Sequence, residues 1–406
     1  MLRSPRVVTG SLDRARLRRV PLVCAMAVMV GSVLSGCVAR ASAMTGPDPA
    51  LSDRSVSAPA RTPATPAAFV TVTPDASAEL NPTQPIVVRS WSGVLSSVTA
   101  TNVRSGVVVT GAISADKKTW SSTEPLGYDA TYRVVAEAVG VAGHLVQQES
   151  TVHTLAPRAQ TYPTIIPTPA QDSVGVGQPI VVRFSTAVTD RAAAQAALHV
   201  VSQPPQAGTW TWMSDTEVHY RPENYWAAGT TVTLDALLYG KDLGDGVYGA
   251  TDREVTFHVH DAWIAQADGA THQMQIFHDG ALVKTMPISM GKPSTPTHSG
   301  PHVISDKVPS TVMDSCTYGV CKGQSGYYRE TVYLDERISG DGEFVHAAPW
   351  STGQQGHSNV SHGCINLSPA NAQWFYDHFD IGDVVDVINS GGSPLPVWDT
   401  YGDWEQ

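Results

Sequence analysis

The pattern of polar and apolar positions divides the chain before any single residue does. Residues 1–19 carry six arginines, and an uncharged apolar run from Val20 to Gly36 follows them. A basic head before an apolar stretch has the form of an export signal. From residue 38 to about 67 the chain is Ala, Ser, Pro and Thr with almost no aromatics, too poor in apolar groups to order itself. Beyond it short alternating runs dominate, among them Val107-Val-Val-Thr110, Tyr132-Arg-Val-Val-Ala136, Glu217-Val-His-Tyr220 and Thr230-Thr-Val-Thr-Leu234. Period-two alternation predicts half-buried strands. Asp279-Gly280 joins two such runs, 271–278 and 281–288, and predicts a tight hairpin. Two stretches read as helix: 191–198, and a run to about Phe379 that Ser368 caps, with Pro369 at its first position. Gly382-Asp383 ends the second, and 384–388 reads as a last strand. The fold class is therefore mainly β, with one or two short helices in the last domain.

The strand-rich part contains a repeat. Gln84-Pro-Ile-Val-Val-Arg89 returns as Gln178-Pro-Ile-Val-Val-Arg183, each copy after a Pro-rich lead such as Thr71-Val-Thr-Pro74 or Ile166-Pro-Thr-Pro169. A period near 95 residues suits a β-sandwich and is too long for a solenoid. Two immunoglobulin-like domains are predicted, at 68–156 and 157–260. Nothing in them reads as chemistry. His258 and His260 alternate on one strand and read as solvent-facing positions on an edge rather than metal ligands. Trp210 and Trp212 read as sandwich core or interdomain contact rather than a sugar platform. The pair of domains reads as a spacer.

Charge and cysteines refine the picture. A net charge of −11 argues against nucleic acid as a partner. The apolar run ends in Leu34-Ser35-Gly36-Cys37, which resembles a bacterial lipobox: cleavage after residue 36 would leave Cys37 lipidated, and the other reading is an uncleaved membrane anchor. Either places the bulk of the chain outside the cytoplasm, facing the periplasm or cell wall. Cys316 and Cys321 flank a Tyr-Gly turn and read as a disulfide clip; a metal site is the alternative, but no second thiol pair completes one. That leaves Cys364 without a partner, and an unpaired cysteine in an exported chain invites a chemical explanation.

The chemistry gathers between 261 and 390, ahead of a tail at 391–406. A cysteine becomes an acyl-transfer nucleophile when an imidazole takes its proton and backbone N–H groups receive the oxyanion. His346 closes a β-run, and Gly363 before Cys364 admits close approach of substrate and backbone. His346 is followed by 14 residues and then by Ser361-His362-Gly363-Cys364-Ile365-Asn366. This pattern resembles the L,D-transpeptidase (YkuD-type) family, whose signature is a histidine, 14 to 17 residues, then Ser/Thr-His-Gly-Cys-hydrophobic-Asn. Met313-Asp-Ser-Cys-Thr-Tyr318, Gly326-Tyr-Tyr-Arg329 and Ala348-Pro-Trp-Ser351 are similar to the mycobacterial members, as is the order of lipobox, two Ig-like domains, catalytic domain and Trp-containing tail.

The resemblance implies Cys364 as nucleophile, His346 as general base, and backbone N–H groups of His362, Gly363 and Cys364 as oxyanion hole. Met313, Tyr318, Tyr328, Trp350, Ser361 and Asn366 would meet the donor substrate, under a lid at about 300–345. It implies 3→3 cross-linking of peptidoglycan tetrapeptide stems through a thioester, with release of D-Ala, no metal or organic cofactor, and acylation by carbapenems. Ala347 stands where relatives often have Ser; the main-chain carbonyl there orients the imidazole in the family. Water or a protein amine as acceptor, and a non-catalytic cell-wall scaffold, remain the other readings. Trp398 and Trp404 in the tail are expected to pack against the catalytic domain.

Overall fold

A computed structural model describes residues 68–405, apart from the side chain of Tyr318; the export signal, Cys37 and the tether lie outside the described residues. Among the described residues no helix is long and apolar enough to cross a membrane. The protein is mainly β, and three regions of sheet follow one another along the chain.

Residues 70–154 form two four-stranded sheets facing each other. Alternation along Thr131–Val139 turns Tyr132, Val134, Ala136 and Ala138 inward, against Ile86, Val88 and Trp120. The next region repeats the plan. Its strand Ile180–Phe184, from the second repeat copy, lies second in its sheet, as Val87–Ser90 from the first copy does. Both copies bury their isoleucine completely, Ile86 and Ile180. The sequence repeat is therefore one structural position used twice. The helix predicted at 191–198 is shorter, Arg191–Ala196, because Asp190 caps it and Leu198 already opens the strand Leu198–Gln203. Trp210 and Trp212 pack on the second core, Trp212 stacking on Phe184 at 5.9 Å. His258 is exposed as read, but the edge position and His260 differ from expectation. The strand of His258, Arg253–Val259, is internal to its sheet, and His260, just beyond its end, faces the buried Asp383 at 3.7 Å rather than open solvent.

The last region carries a five-stranded sheet and a four-stranded sheet on a shared core. The hairpin forms as read, with Asp279 and Gly280 both at positive φ between Gln273–His278 and Ala281–Pro287. Helix Pro369–His378 is capped by the Ser368 side chain and buries Ala372 and Phe375. Residues 300–303, expected to begin the lid, belong instead to the five-stranded sheet, where Gly300–Val303 pairs with Val384–Ile388. The expected lid span also holds the antiparallel pair Asp306–Asp314 and Arg329–Arg337, the edge and second strands of the four-stranded sheet.

The second sandwich and the catalytic region share a seam made possible by glycine. Gly175 and Gly177 donate N–H to the carbonyls of Ile381 and Gly382 at 2.9 and 2.8 Å. A Cβ on Gly175 would lie 2.2 Å from the Asp383 nitrogen, so only glycine permits this approach. The tail closes the same seam, and here expectation needs correcting. Trp404 packs on the sandwich: its Nε1 donates to the Gly177 carbonyl at 2.8 Å, its ring meets Tyr225 edge-on, and Arg221 lies over it. Trp398 is 75 % exposed. Tyr401 joins the two regions, buried with Val181 and Val303, and Trp404 also packs against that small cluster. Beside it the buried Asp403 carboxylate meets His219 Nδ1 at 2.9 Å, and His219 Nε2 meets Glu217 at 2.8 Å.

Candidate active site

The two chemically expressive residues arrive on adjacent parallel strands. Phe344–Ala347 pairs with Ile365–Leu367 so that His346 sits beside Asn366, and Cys364 immediately precedes the second strand. His346 is buried, and its Nδ1 lies 3.1 Å from the Ala347 carbonyl. A carbonyl only accepts, so that contact assigns the ring proton to Nδ1 and leaves Nε2 as the basic nitrogen. Ala347 thus supplies by its main chain the contact that a serine there would also supply. Asn366 donates to Ser351 Oγ at 3.1 Å, and Ser351 Oγ in turn donates to the Ala348 carbonyl. The turn after the histidine is thereby fixed to the strand after the cysteine.

Both reacting groups are held neutral at rest. Burial pushes His346 down to about 4, against opposing hydrogen bonds from the Ala347 carbonyl and Asn366. Burial likewise pushes the Cys364 thiol up to about 12. The thiol points at the Gly342 carbonyl, 3.8 Å away. The pair is therefore a thiol and an imidazole, and the proton moves only as attack begins. Acyl transfer by this pair should then keep its neutral-pH rate down to about pH 5 and fall only as pH nears 4, where the base protonates. Initial rates across pH 3.5–8 test this; an acid limb centred near the ordinary histidine value contradicts it.

The cysteine turn is tightly stapled. Gly363 has φ +130°, a conformation open to glycine. Ser361 Oγ donates to the Cys364 carbonyl at 2.6 Å and accepts from the Gly363 N–H at 3.1 Å. Thr297 Oγ donates to the Gly363 carbonyl at 2.7 Å. This amends two expectations. Ser361 borders the cavity but spends its hydroxyl inside the turn, and the Gly363 N–H is already engaged, so the oxyanion donors expected from sequence reduce to those of His362 and Cys364.

Met313, Tyr328, Trp350, Ser361 and Asn366 line one cavity of about 270 Å³ with His346, His362 and Cys364. The Tyr328 ring lies 5.0 Å from that of His362, and Trp350 lies 5.9 Å from His346. The backbone of Tyr318 ends a 3-10 turn, Ser315–Tyr318; its side chain lies outside the described residues. Cys316 and Cys321 are joined by a disulfide in this turn. The clip reaches the cavity through Ser315, whose Oγ accepts the Tyr328 N–H at 2.9 Å and whose own N–H donates to the Tyr328 carbonyl at 3.1 Å.

Four contributors, Glu330, Val332, Val360 and Lys292, were missed by the sequence reading. Glu330 and Val332 face the cavity along with Tyr328, a period-two pattern on the Arg329–Arg337 strand that could have disclosed them. Lys292 left no such signal. Its Nζ lies 2.8 Å from His362 Nε2, 70 residues away in sequence. The ammonium donates, so His362 carries its proton on Nδ1, and burial together with the Lys292 charge lowers the pKa of that ring. Lys292→Met is expected to raise the His362 pKa, read by NMR of the ring protons, and to reduce kcat/KM about tenfold through a looser cysteine turn, roughly the worth of one charge-assisted hydrogen bond. An unmoved His362 titration would remove Lys292 from the site.

A buried thiol and a neutral imidazole, brought together on a stapled turn at the floor of one cavity, make this a site for cysteine-dependent acyl transfer. Residues 262–387 match the L,D-transpeptidase catalytic domain, and residues 77–242 match a bacterial Ig domain. The chain belongs to the L,D-transpeptidase family. It is 40 % identical to L,D-transpeptidase 2 of Mycobacterium tuberculosis over 98 % of this chain and 95 % of that protein. It is 36 % identical to L,D-transpeptidase 5 of the same species over 82 % of this chain and 74 % of that protein. A solved L,D-transpeptidase in complex with imipenem superposes with a TM-score of 0.50 at 34 % identity, covering 57 % of this chain and all of that one.

Proposed function

We propose that this enzyme forms 3→3 cross-links between meso-diaminopimelate residues of peptidoglycan tetrapeptide stems. The observation that carries the reading is the shared cavity of Cys364 and His346, with Nδ1 of the imidazole committed to the Ala347 carbonyl. As Sγ adds to the carbonyl carbon of the third stem residue, the thiol proton passes to His346 Nε2. The carbonyl electrons move onto oxygen, which the His362 and Cys364 N–H groups receive. Collapse breaks the C–N bond, His346 returns the proton to the departing D-Ala amine, and a thioester remains. The side-chain amine of a second stem then attacks; His346 takes its proton and returns it to the leaving thiolate. The apolar rim of Met313, Val332 and Trp350 restrains water from the thioester. The same thiol opens the β-lactam ring of carbapenems, forming an acyl adduct with no group released.

Lipidation at Cys37, and so an extracytoplasmic place at the cell membrane facing the periplasm or cell wall, belongs to the same proposal and rests on the lipobox text alone. Mass spectrometry of products from a disaccharide-tetrapeptide tests the reaction. A dimer lacking one D-Ala is expected. Tripeptide monomer alone would make water the acceptor, and no product together with no carbapenem adduct would favour the scaffold reading.

A further inference from the structure

Behind the cysteine turn lies a second cluster that the acyl transfer does not use. His298 and His302 flank the turn into the strand Gly300–Val303, and Asp341 and Glu343 precede the strand Phe344–Ala347. His298 Nδ1 lies 3.2 Å from Glu343 Oε1 and 3.7 Å from Asp341 Oδ2. The ligand atoms of these three residues all lie within 4.8 Å of one another. His302 Nδ1 contacts the Gly300 carbonyl at 2.9 Å, which turns its Nε2 toward Glu343 Oε2 at 3.3 Å.

The cluster is unfinished as a set of hydrogen bonds. His298 Nδ1, His302 Nε2 and Glu343 Oε2 are all buried with no well-formed hydrogen bond. His302 is fully buried and the Glu343 side chain is 7 % exposed. Buried polar atoms are nearly always paired, and these three have only contacts within the cluster, the nearest at 3.2 and 3.3 Å and poorly aligned, so a further partner between them would complete the set. The separations suggest which. Four ligands held tetrahedrally at about 2.0–2.1 Å from an ion stand about 3.3 Å from each other, close to the 3.2 and 3.7 Å measured here. Two carboxylates with imidazole suit zinc or a neighbouring transition ion; magnesium and calcium prefer six or more oxygens.

We propose that His298 Nδ1, Asp341 and Glu343 bind one divalent transition-metal ion of the zinc type, with water at the fourth position and His302 orienting the Glu343 carboxylate from behind. Asp341 is half exposed and gives the ion its way in. The site is separate from the reacting thiol but abuts its turn: a Cβ on Gly363 would lie 3.3 Å from Glu343 Oε1. The Glu343 carboxylate also accepts the His298 N–H at 2.9 Å, next to the Thr297 that holds the Gly363 carbonyl. An ion here would stiffen the wall behind the oxyanion donors.

Binding rather than turnover tests the site, so its outcome is independent of the cross-linking proposal. The full chain carrying Cys364→Ala, which removes the catalytic thiol as a competing ligand, is stripped with chelator. It is then titrated with Zn²⁺ by calorimetry and with Co²⁺ by visible absorption. One equivalent is expected, with the intense absorption of tetrahedral Co²⁺. His298→Gln and Asp341→Asn, each added to that background, should weaken Zn²⁺ at least twentyfold, and Asp341→Asn, half exposed and still able to accept the Ser339 hydroxyl, should keep the fold. Absence of one-to-one binding, or an affinity unchanged in Asp341→Asn, overturns the proposal and leaves the cluster an ion-pair network.

Discussion

Cys364→Ala is expected to abolish D-Ala release and carbapenem adduct formation, with turnover down by at least about 10⁴-fold, since the nucleophile of a covalent route has no substitute. The fold should survive. Cys364 is a small buried side chain with weak polar contacts, a 3.8 Å approach to the Gly342 carbonyl and a backbone hydrogen bond from Phe344, and losing them costs on the order of 1 kcal/mol. Intact-mass measurement after carbapenem exposure, beside a thermal unfolding curve, separates the two effects. Turnover retained in this variant would sink the assignment of the nucleophile.

The second large effect is predicted far from the chemistry. Asp403→Ala removes one partner of a buried ion pair, with His219 and Asp403 only 5 % and 1 % exposed. Breaking such a pair costs about 3 kcal/mol or more. For a unit of this size that lowers the unfolding midpoint by on the order of 10 °C. Burial alone would push His219 down, but Asp403 and Glu217 outweigh it and the net shift is upward. A histidine raised by folding lends its stability below its unfolded value near 6.5 and loses it as pH climbs through the raised folded value. Glu217, pushed down to about 2 with the His219 hydrogen bond as the largest cause, lends its share above about 4.5. The gap between wild type and Asp403→Ala should therefore be widest near pH 5–6 and narrow above neutrality. Differential scanning calorimetry at several pH values checks this; a midpoint unmoved at pH 5.5 would show that the tail does not brace the seam.

What the sequence disclosed and what it withheld follow from the range of the interactions. The Asp279-Gly280 hairpin, the Ser368 cap and the doubled Gln-Pro-Ile-Val-Val-Arg strand are specified by neighbours a few residues apart, so local pattern sufficed. The spacing of His346 and Cys364 was legible because a parallel strand pair with a fixed turn maps onto a fixed interval. Ser361 stood inside the motif, yet nothing local tells a hydroxyl aimed at substrate from one folded back on the Cys364 carbonyl. Lys292 on His362, Glu343 behind Gly363 and Trp404 on Gly177 join residues separated by 20 to 227 positions. Such pairs leave no periodic trace. The lid was read too long for the same reason: Gly300–Val303 is held by Val384–Ile388, a partner strand that only the fold brings near.

The glycine seam has a bearing on how such a chain can be cut and recombined. Val384, on the last strand of the catalytic region, completes the hydrophobic cluster of the sandwich before it, and Val181 of that sandwich is sealed by Val303 and Tyr401. Severing the chain at residue 260 would strip apolar surface from both pieces at once. The first sandwich meets the second through fewer apolar groups: Tyr128 sits edge-on to Tyr239 and Tyr248, and hydrogen bonds run from Tyr128 to the Gly249 carbonyl, Tyr239 to the Leu126 carbonyl, and Asn81 to the Gly240 carbonyl. The portable unit for transplantation onto another scaffold is thus the second sandwich with the enzyme and its tail, while the first sandwich is the more readily exchanged piece.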